Sequence, residues 1–395
     1  MSKILCLNNI SPVGLATLPS TYSITKELSE AKAILVRSFA MHELALPENI
    51  LAVARAGAGV NNIPVDTYAK QGVVVFNTPG ANANAVKELT IASMLLAVRD
   101  ISGGIQWVKE NKQDKEIAKT VEKAKAAFAG TEIFGKNIGI VGLGAVGALI
   151  AGACAGLGMQ VYGIDASPEV IEKNRHLFPQ NIHLCESIDE IYQHADFISL
   201  NIPLIPATKG MINQDSIAKM RDGVIILNLA RDAIVNDSDM KEALLSKKVR
   251  KYVTDFPNEA TANMEGVLAI PHLGASTEEA EDNCAIMASR QIVSFLETGS
   301  IINSVNYPNV EVAPCEDFAR MIVLHENMSS LSSQVVSMVE EYAIISQMIT
   351  KSRNGYGVTI IDFSKPKKGC PEDGCLRDKV DAIAGIIRVR VNHSN

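Results

Sequence analysis

His272, Glu259 and Arg231 are the side-chain types that oxidation of a hydroxyl to a ketone calls for. An imidazole titrates near neutrality, so it can take the hydroxyl proton as hydride leaves the carbon. A carboxylate against that ring favours its protonated form and fixes its tautomer. A guanidinium can grip the carboxylate of a 2-hydroxy acid through two hydrogen bonds and orient its second carbon. Singly, each residue has a plainer account: Arg231 as a surface ion pair, Glu259 as a solvated carboxylate, His272 as a satisfied loop histidine. Their joint placement at the ends of apolar runs, downstream of a glycine motif, favours a shared site.

That motif is Gly142-Leu-Gly144-Ala145-Val146-Gly147. The apolar run Ile138–Val141 precedes it, a small-residue helix from Ala148 to Gly156 follows, and a second run, Met159–Ile164, ends on Asp165. Strand, tight glycine turn, helix, strand and acid is the order of a dinucleotide fingerprint. The turn lets the backbone approach a pyrophosphate, and the helix N-terminus offers it free N–H groups. Asp165, eighteen residues after Gly147, suits the two ribose hydroxyls of NAD and would repel the 2′-phosphate of NADP. No charge falls between Asn137 and Ile164, which imitates a membrane span. Eight glycines interrupt that stretch where the fingerprint needs turns, and they argue against a span.

At 395 residues the chain is long enough for two or three domains. Hydrophobic residues at 47% and a mean hydropathy of +0.12 predict a sizeable core rather than disorder. A net charge of -7 argues against nucleic acid or an anionic membrane as a partner. Seven cysteines without framework spacing read as buried thiols of a reducing compartment. Met1-Ser-Lys-Ile-Leu-Cys-Leu reads directly as a strand without signal-peptide features, so a cytoplasmic location is expected. Cys370-Pro-Glu-Asp-Gly-Cys375 reads as an inserted exposed loop, and no metal is assigned.

The elements that must position these groups alternate along the chain. Strands are predicted at 4–7, 33–36, 51–54 and 73–76, an αβ alternation that implies a parallel sheet. Arg37-Ser38, the loop from Arg55 to Asn62 and the loop from Asn77 to Asn84 follow these strands, where α/β sheets bind ligands. Helical patterning runs from about 86 through 108 and on to 125, as one helix or two. Strands at 197–200, 224–228, 252–254 and 267–270 then deliver Arg231 and His272, and a helix from 277 to 296 returns to the first domain. After a linker at 300–316, a βαββαβ pattern predicts a ferredoxin-like unit with a hairpin turning at Asn354-Gly355. The expected domains are 1–98 with 281–305, then 99–280, then 317–395.

The sequence resembles the D-isomer-specific 2-hydroxyacid dehydrogenase family. Gly142-x-Gly144-x-x-Gly147, Asn228-Leu-Ala-Arg231 and Pro271-His272-Leu-Gly-Ala-Ser-Thr277 carry the resemblance. The segment Arg55–Asp66 and Asn77-Thr-Pro-Gly80 resemble substrate-domain loops of its phosphoglycerate-oxidising branch, and Leu324-His-Glu-Asn327 resembles a regulatory ACT domain. The resemblance implies two Rossmann-like domains, an ACT tail and a homo-oligomer, dimer or tetramer. It implies NAD-dependent oxidation of 3-phospho-D-glycerate to 3-phosphohydroxypyruvate, which opens phosphorylated L-serine synthesis. A glyoxylate/hydroxypyruvate reductase or an NAD-sensing corepressor on the same fold are the alternatives. His272 would then be the acid/base, Glu259 its partner and Arg231 the carboxylate anchor. Ala145, Val146, Ile202, Pro203, Ala230, Asp255 and Gly274 would add cofactor contacts. Ala58, Gly59 and Val60 would bind the substrate carboxylate, with Ser38 and Asn82 nearby. Arg37, Arg55, Lys87 or a neighbouring subunit's Lys125 would meet the phosphate. His325 and Asn327 match effector positions, although Glu341–Ser346 holds no third asparagine and Ser329-Ser330 replaces the usual Pro-Gly. The family's Asp-Val-Phe-x-x-Glu-Pro is one residue shorter here, Asp255-Phe-Pro-Asn-Glu259-Ala260.

Overall fold

The computed structural model describes residues 1–365 and 373–393; of the predicted loop from Cys370 to Cys375, residues 370–372 lie outside the described residues, while Cys375 falls in the helix Asp373–Asp381 rather than in a loop. By contacts the chain divides into two compact units, Met1–Ala81 with Glu281–Asn395, and Asn82–Ala280. The division falls after Ala81 rather than near residue 98. The helix Ala83–Val98 packs along the helix Ala145–Gly156 of the second unit, where its Met94, Ala97 and Val98 share a core with Ile138, Ile150 and Val161.

The first unit holds a five-stranded parallel sheet of β1 (Ser2–Leu7), β2 (Tyr22–Thr25), β3 (Ala33–Val36), β4 (Ala52–Arg55) and β5 (Val74–Phe76), ordered β2-β1-β3-β4-β5. β3 and β5 are buried along their whole length, as unbroken apolar runs in a helix-covered parallel sheet must be. β2 was absent from the sequence reading: Tyr22-Ser-Ile-Thr25 is a short edge strand, half-exposed along most of its length.

The second unit is a seven-stranded parallel sheet. Its strands are β6 (Asn137–Val141), β7 (Gln160–Ile164), β8 (His183–Leu184), β9 (Phe197–Leu200), β10 (Val224–Asn228), β11 (Val249–Thr254) and β12 (Val267–Ala269). The order β12-β11-β10-β9-β6-β7-β8 reverses direction between β6 and β9, the switch point beyond which such sheets bind ligands. The uncharged stretch 137–164 resolves as β6, the helix Ala145–Gly156 and β7. No described helix is long and apolar enough to cross a membrane. The segment from 86 to 125 forms three helices, Ala83–Val98, Ile101–Glu110 and Ile117–Ala124. Asp100 restarts the second by accepting from the Gly103 amide at 2.9 Å.

The helix Glu278–Thr298 leads back into the first unit. The chain ends in the predicted βαββαβ order: β13 (Ala319–Glu326), a helix Leu331–Glu340, β14 (Ile345–Arg353), β15 (Tyr356–Phe363), a helix Asp373–Asp381 and β16 (Ile386–His393). The antiparallel order β14-β15-β13-β16 is ferredoxin-like. The β14–β15 hairpin turns at Asn354-Gly355, with Asn354 at φ 55°. One face of this sheet completes the first unit: Ile322, Leu324, Val358 and Ile360 pack in one core with Ile4, Leu35, Phe76 and Phe295. Polar side chains fix the same face to the carbonyl end of the long helix. Arg390 donates to Phe295 O at 2.6 Å, Asn392 to Leu296 O and Glu297 O at 2.9 Å, and Arg320 to Thr298 O at 3.0 Å. Arg320 is buried with Asp362 as a two-bond ion pair at 2.5 and 2.6 Å.

Candidate active site

The predicted cofactor residues assemble in the second unit at the carboxyl ends of its strands. β6 delivers Gly142, which takes φ 93°, a conformation that favours glycine, and a side chain there would also meet the Asn201 carbonyl at 2.5 Å. A side chain on Gly147 would meet the Gly142 carbonyl at 1.9 Å, so the turn and its helix pack too closely for any residue but glycine. At Gly144 the same position opens on empty space, and Ala145 beside it is exposed. The helix starting at Ala145 points its first free N–H groups into that space. This cradle and its donors fit a pyrophosphate.

Asp165, at the end of β7, accepts from the Leu143 amide at 2.8 Å and the Ser167 amide at 2.9 Å. It therefore braces the glycine turn while each oxygen keeps lone-pair capacity for a ribose hydroxyl. Ile202 follows β9 and lies over Gly142. The carbonyl of Pro203 is held by the Thr208 hydroxyl at 2.6 Å.

The next strand ends carry the proton and carboxylate chemistry. Arg231 leaves β10 with its Nη1 donating to the Ala230 carbonyl at 2.6 Å. Asn228, fully buried, braces this turn by donating to Arg231 O at 2.9 Å and to the Tyr252 hydroxyl at 3.0 Å, and by accepting from the Ala230 amide. Arg231 sits over the Phe256 ring with its guanidinium carbon 5.2 Å from the centroid. The exposed His272 ring packs on the same phenyl group, centroids 4.3 Å apart. Phe256 thus gathers the guanidinium and the imidazole on one platform. Sequence reading missed this role, for which its place within the quoted segment 254–260 was the only signal.

The two carboxylates part company. Glu259 opens a short helix capped by Asn258, is exposed, and its carboxylate makes no hydrogen bond or ion pair among the described residues. Asp255 is 1% exposed, with one carboxylate oxygen buried and unpartnered. A side chain on Gly274 would meet its other oxygen at 3.1 Å. Burial pushes the Asp255 carboxyl above the usual aspartate range, against the pull of His272, the Gly274 amide and Arg231. Asp255 is thus a buried carboxylate whose charged form His272 and Arg231 favour.

Asn82 and Lys87 lie at the start of the helix Ala83–Val98, and Lys87 donates to Asn84 at 2.6 Å. Lys125 pairs with Glu122 on an exposed helix.

The first unit brings its own predicted residues together at the ends of β3 and β4. Arg55 donates to the Arg37 carbonyl at 3.1 Å, and Arg37 pairs with Glu281 at 2.6 Å. The Ser38 amide donates to Asn8 at 3.1 Å. Asn77 holds the Ala58 carbonyl at 2.6 Å, while the amides of Ala58, Gly59 and Val60 donate to nothing among the described residues. These three consecutive amides are thus left as free donors at the end of β4. In the C-terminal sheet His325 is buried, with Nδ1 donating to Glu326 O at 2.7 Å and Nε2 on the Thr359 hydroxyl at 3.0 Å. Asn327 donates to Asn354 O at 3.0 Å.

Comparison with known proteins agrees with this geometry. Residues 91–274 match the family described as D-isomer specific 2-hydroxyacid dehydrogenase, NAD binding domain. The chain is 30% identical over 341 residues to a D-3-phosphoglycerate dehydrogenase of Methanocaldococcus jannaschii, covering 84% of this chain but 62% of that protein. It thus spans about three fifths of the length of that curated relative. It is 33% identical to a hydroxypyruvate reductase of Thermotoga maritima, covering 70% of this chain and 88% of the relative. The NAD+-bound 3-phosphoglycerate dehydrogenase of Entamoeba histolytica superposes with a TM-score of 0.60 at 26% identity, over 77% of this chain and 98% of that one. The chain belongs to the D-isomer specific 2-hydroxyacid dehydrogenase family and carries its NAD-binding domain.

Proposed function

We propose that the protein oxidises 3-phospho-D-glycerate to 3-phosphohydroxypyruvate with NAD. The observation that carries this reading is the single phenyl platform on which Arg231 and His272 meet, in the unit that also holds the braced glycine turn. Gly142, Gly144, Gly147 and Asp165 would hold the dinucleotide, which when bound accepts the hydride leaving the substrate's second carbon. Arg231 grips the substrate carboxylate, and a nitrogen of His272 takes the hydroxyl proton. The phenyl group of Phe256 restrains both side chains, so their relative placement is set before substrate arrives. From the first unit we propose the free amides of Ala58, Gly59 and Val60 as donors to an anionic group of the substrate and Arg37 as the partner of its phosphate. Similarity to the archaeal phosphoglycerate dehydrogenase supports this substrate. On the same reading the ferredoxin-like tail is of the ACT type and serves assembly, because both ring nitrogens of His325 are already engaged within the chain.

A second reading, hydroxypyruvate reduction, is favoured by the Thermotoga relative, of which this chain covers 88%. One experiment separates them. NADH absorbance is followed as the purified protein consumes it with 3-phosphohydroxypyruvate, hydroxypyruvate or 2-oxoglutarate. Preference for the phosphorylated substrate is expected. Equal or better rates with hydroxypyruvate would transfer the assignment to the second reading, and no turnover with any of the three would reject both.

A further inference from the structure

Outside the site described above, one group of side chains converges on a point that the proposed reaction does not use. β8 is the short edge strand His183–Leu184, and Cys185 follows it directly. Residues two apart on extended chain face the same side, so His183 and Cys185 present imidazole and thiol together. The next helix, Ile188–His194, brings Glu190 to the same side from its first turn. A nitrogen, a sulfur and a carboxylate oxygen of these three residues all lie within 4.8 Å of one another.

The His183–Glu190 spacing and the supports of Glu190 match those of a ligand pair, and the Cys185 sulfur lies within 4.8 Å of both. His183 Nε2 is 3.2 Å from one carboxylate oxygen of Glu190. Two ligands on a tetrahedral zinc with bonds near 2.0 Å stand about 3.3 Å apart. The other Glu190 oxygen accepts from the Glu186 amide at 2.8 Å and the Ser187 amide at 3.0 Å, so the carboxylate is oriented from behind. The Tyr162 ring lies 5.1 Å from the His183 ring and limits its rotation. A surface ion pair between His183 and Glu190 would account for the first distance alone. The half-buried Cys185 thiol also reaches the His183 carbonyl at 3.8 Å, and it still brings a sulfur to the same point as the imidazole and the carboxylate.

We propose that His183, Cys185 and Glu190 bind a divalent zinc-type cation, with a fourth position left to water or another small ligand. Sulfur, imidazole and carboxylate together select zinc over magnesium or calcium, which take oxygen ligands. As the metal–sulfur bond forms, the thiol proton passes to solvent, and thiolate and carboxylate together neutralise the dication. The site joins β8 to the following helix.

The test uses the full chain, stripped with a chelator and kept reduced. Zinc chloride is titrated by calorimetry, and cobalt(II) is added in parallel to read sulfur-to-cobalt charge-transfer absorption. The expected result is one zinc per chain and a cobalt–thiolate band. Cys185→Ser should abolish the band and weaken zinc by at least about 100-fold, beyond the usual effect of losing a supporting residue. Cys370→Ser with Cys375→Ser should keep both signals, which separates this site from the two cysteines that stand five residues apart in the sequence. Absence of saturable zinc binding in the unaltered chain would overturn the proposal. So would a cobalt band that survives Cys185→Ser and disappears in the double variant. Unfolding curves of the metal-free proteins establish that Cys185→Ser is folded, and His183→Ala serves as an independent second removal.

Discussion

Arg37, at the end of β3, is held by Glu281 of the long helix across 2.6 Å. The guanidinium proposed to meet a phosphate therefore has a carboxylate partner within its own unit, and a phosphorylated ligand must compete with Glu281 for it. Arg37→Ala should raise KM for 3-phosphohydroxypyruvate by roughly 10- to 100-fold, the value of one charged hydrogen bond. KM for hydroxypyruvate should change little. Glu281→Gln should act in the opposite direction on the phosphorylated substrate by releasing the arginine. Equal losses on both substrates in Arg37→Ala would place the phosphate elsewhere.

Asp255 is expected to reduce stability in return for its place beside His272. Its folded-state carboxyl is pushed above the ordinary 3.8, so above that pH the unfolded chain ionises it more readily than the native one. The penalty is absent below the ordinary carboxyl range and grows as pH rises from there to the native value. Asp255→Asn, which removes the buried charge and keeps the polar shape, should thus stabilise the protein at neutral pH. The gain should fade toward pH 3.8. Thermal unfolding across pH, with turnover measured alongside, checks both the sign and the window. A variant less stable than its parent at pH 7 would contradict this account of Asp255.

His325 works in the other direction. Burial lowers its pKa from 6.5, partly offset by the Glu326 carbonyl, so the native state keeps the ring neutral. Where the unfolded chain binds the extra proton, stability rises with pH. Its contribution should be complete above about 6.5 and should fall as pH drops below it toward the lowered native value. Comparing unfolding of the parent and His325→Gln between about pH 5 and 8 isolates this histidine from the exposed ones. Parallel pH profiles in the two proteins would remove His325 as the cause.

Much of the architecture was legible because apolar runs in parallel sheets announce themselves. Phe197–Leu200 and Val224–Asn228 are strands with the predicted bounds, each wholly buried. Tyr22–Thr25 escaped because an edge strand needs no apolar run. The helical stretch after residue 86 was divided by a local event, the capping of a new helix by Asp100, which periodicity does not register. The site was legible as residue types at strand ends, but not as pairings. Asp255 and Glu259 stand four residues apart, and only the bend after β11 decides which turns inward. The convergence of His183, Cys185 and Glu190 was equally hidden, because it depends on a helix folding back beside a two-residue strand.

The shared core of β1, β3, β5 and the C-terminal sheet has a consequence for how the chain is made. Residues of the first unit are synthesised both before and after the whole of the second unit. The segment Asn82–Ala280 contains its entire sheet and can close its core as soon as it leaves the ribosome. Ile4, Leu35 and Phe76 cannot complete theirs until Phe295, Ile322, Val358 and Ile360 have followed. Until those later residues emerge, β1, β3 and β5 are apolar surface without a lid.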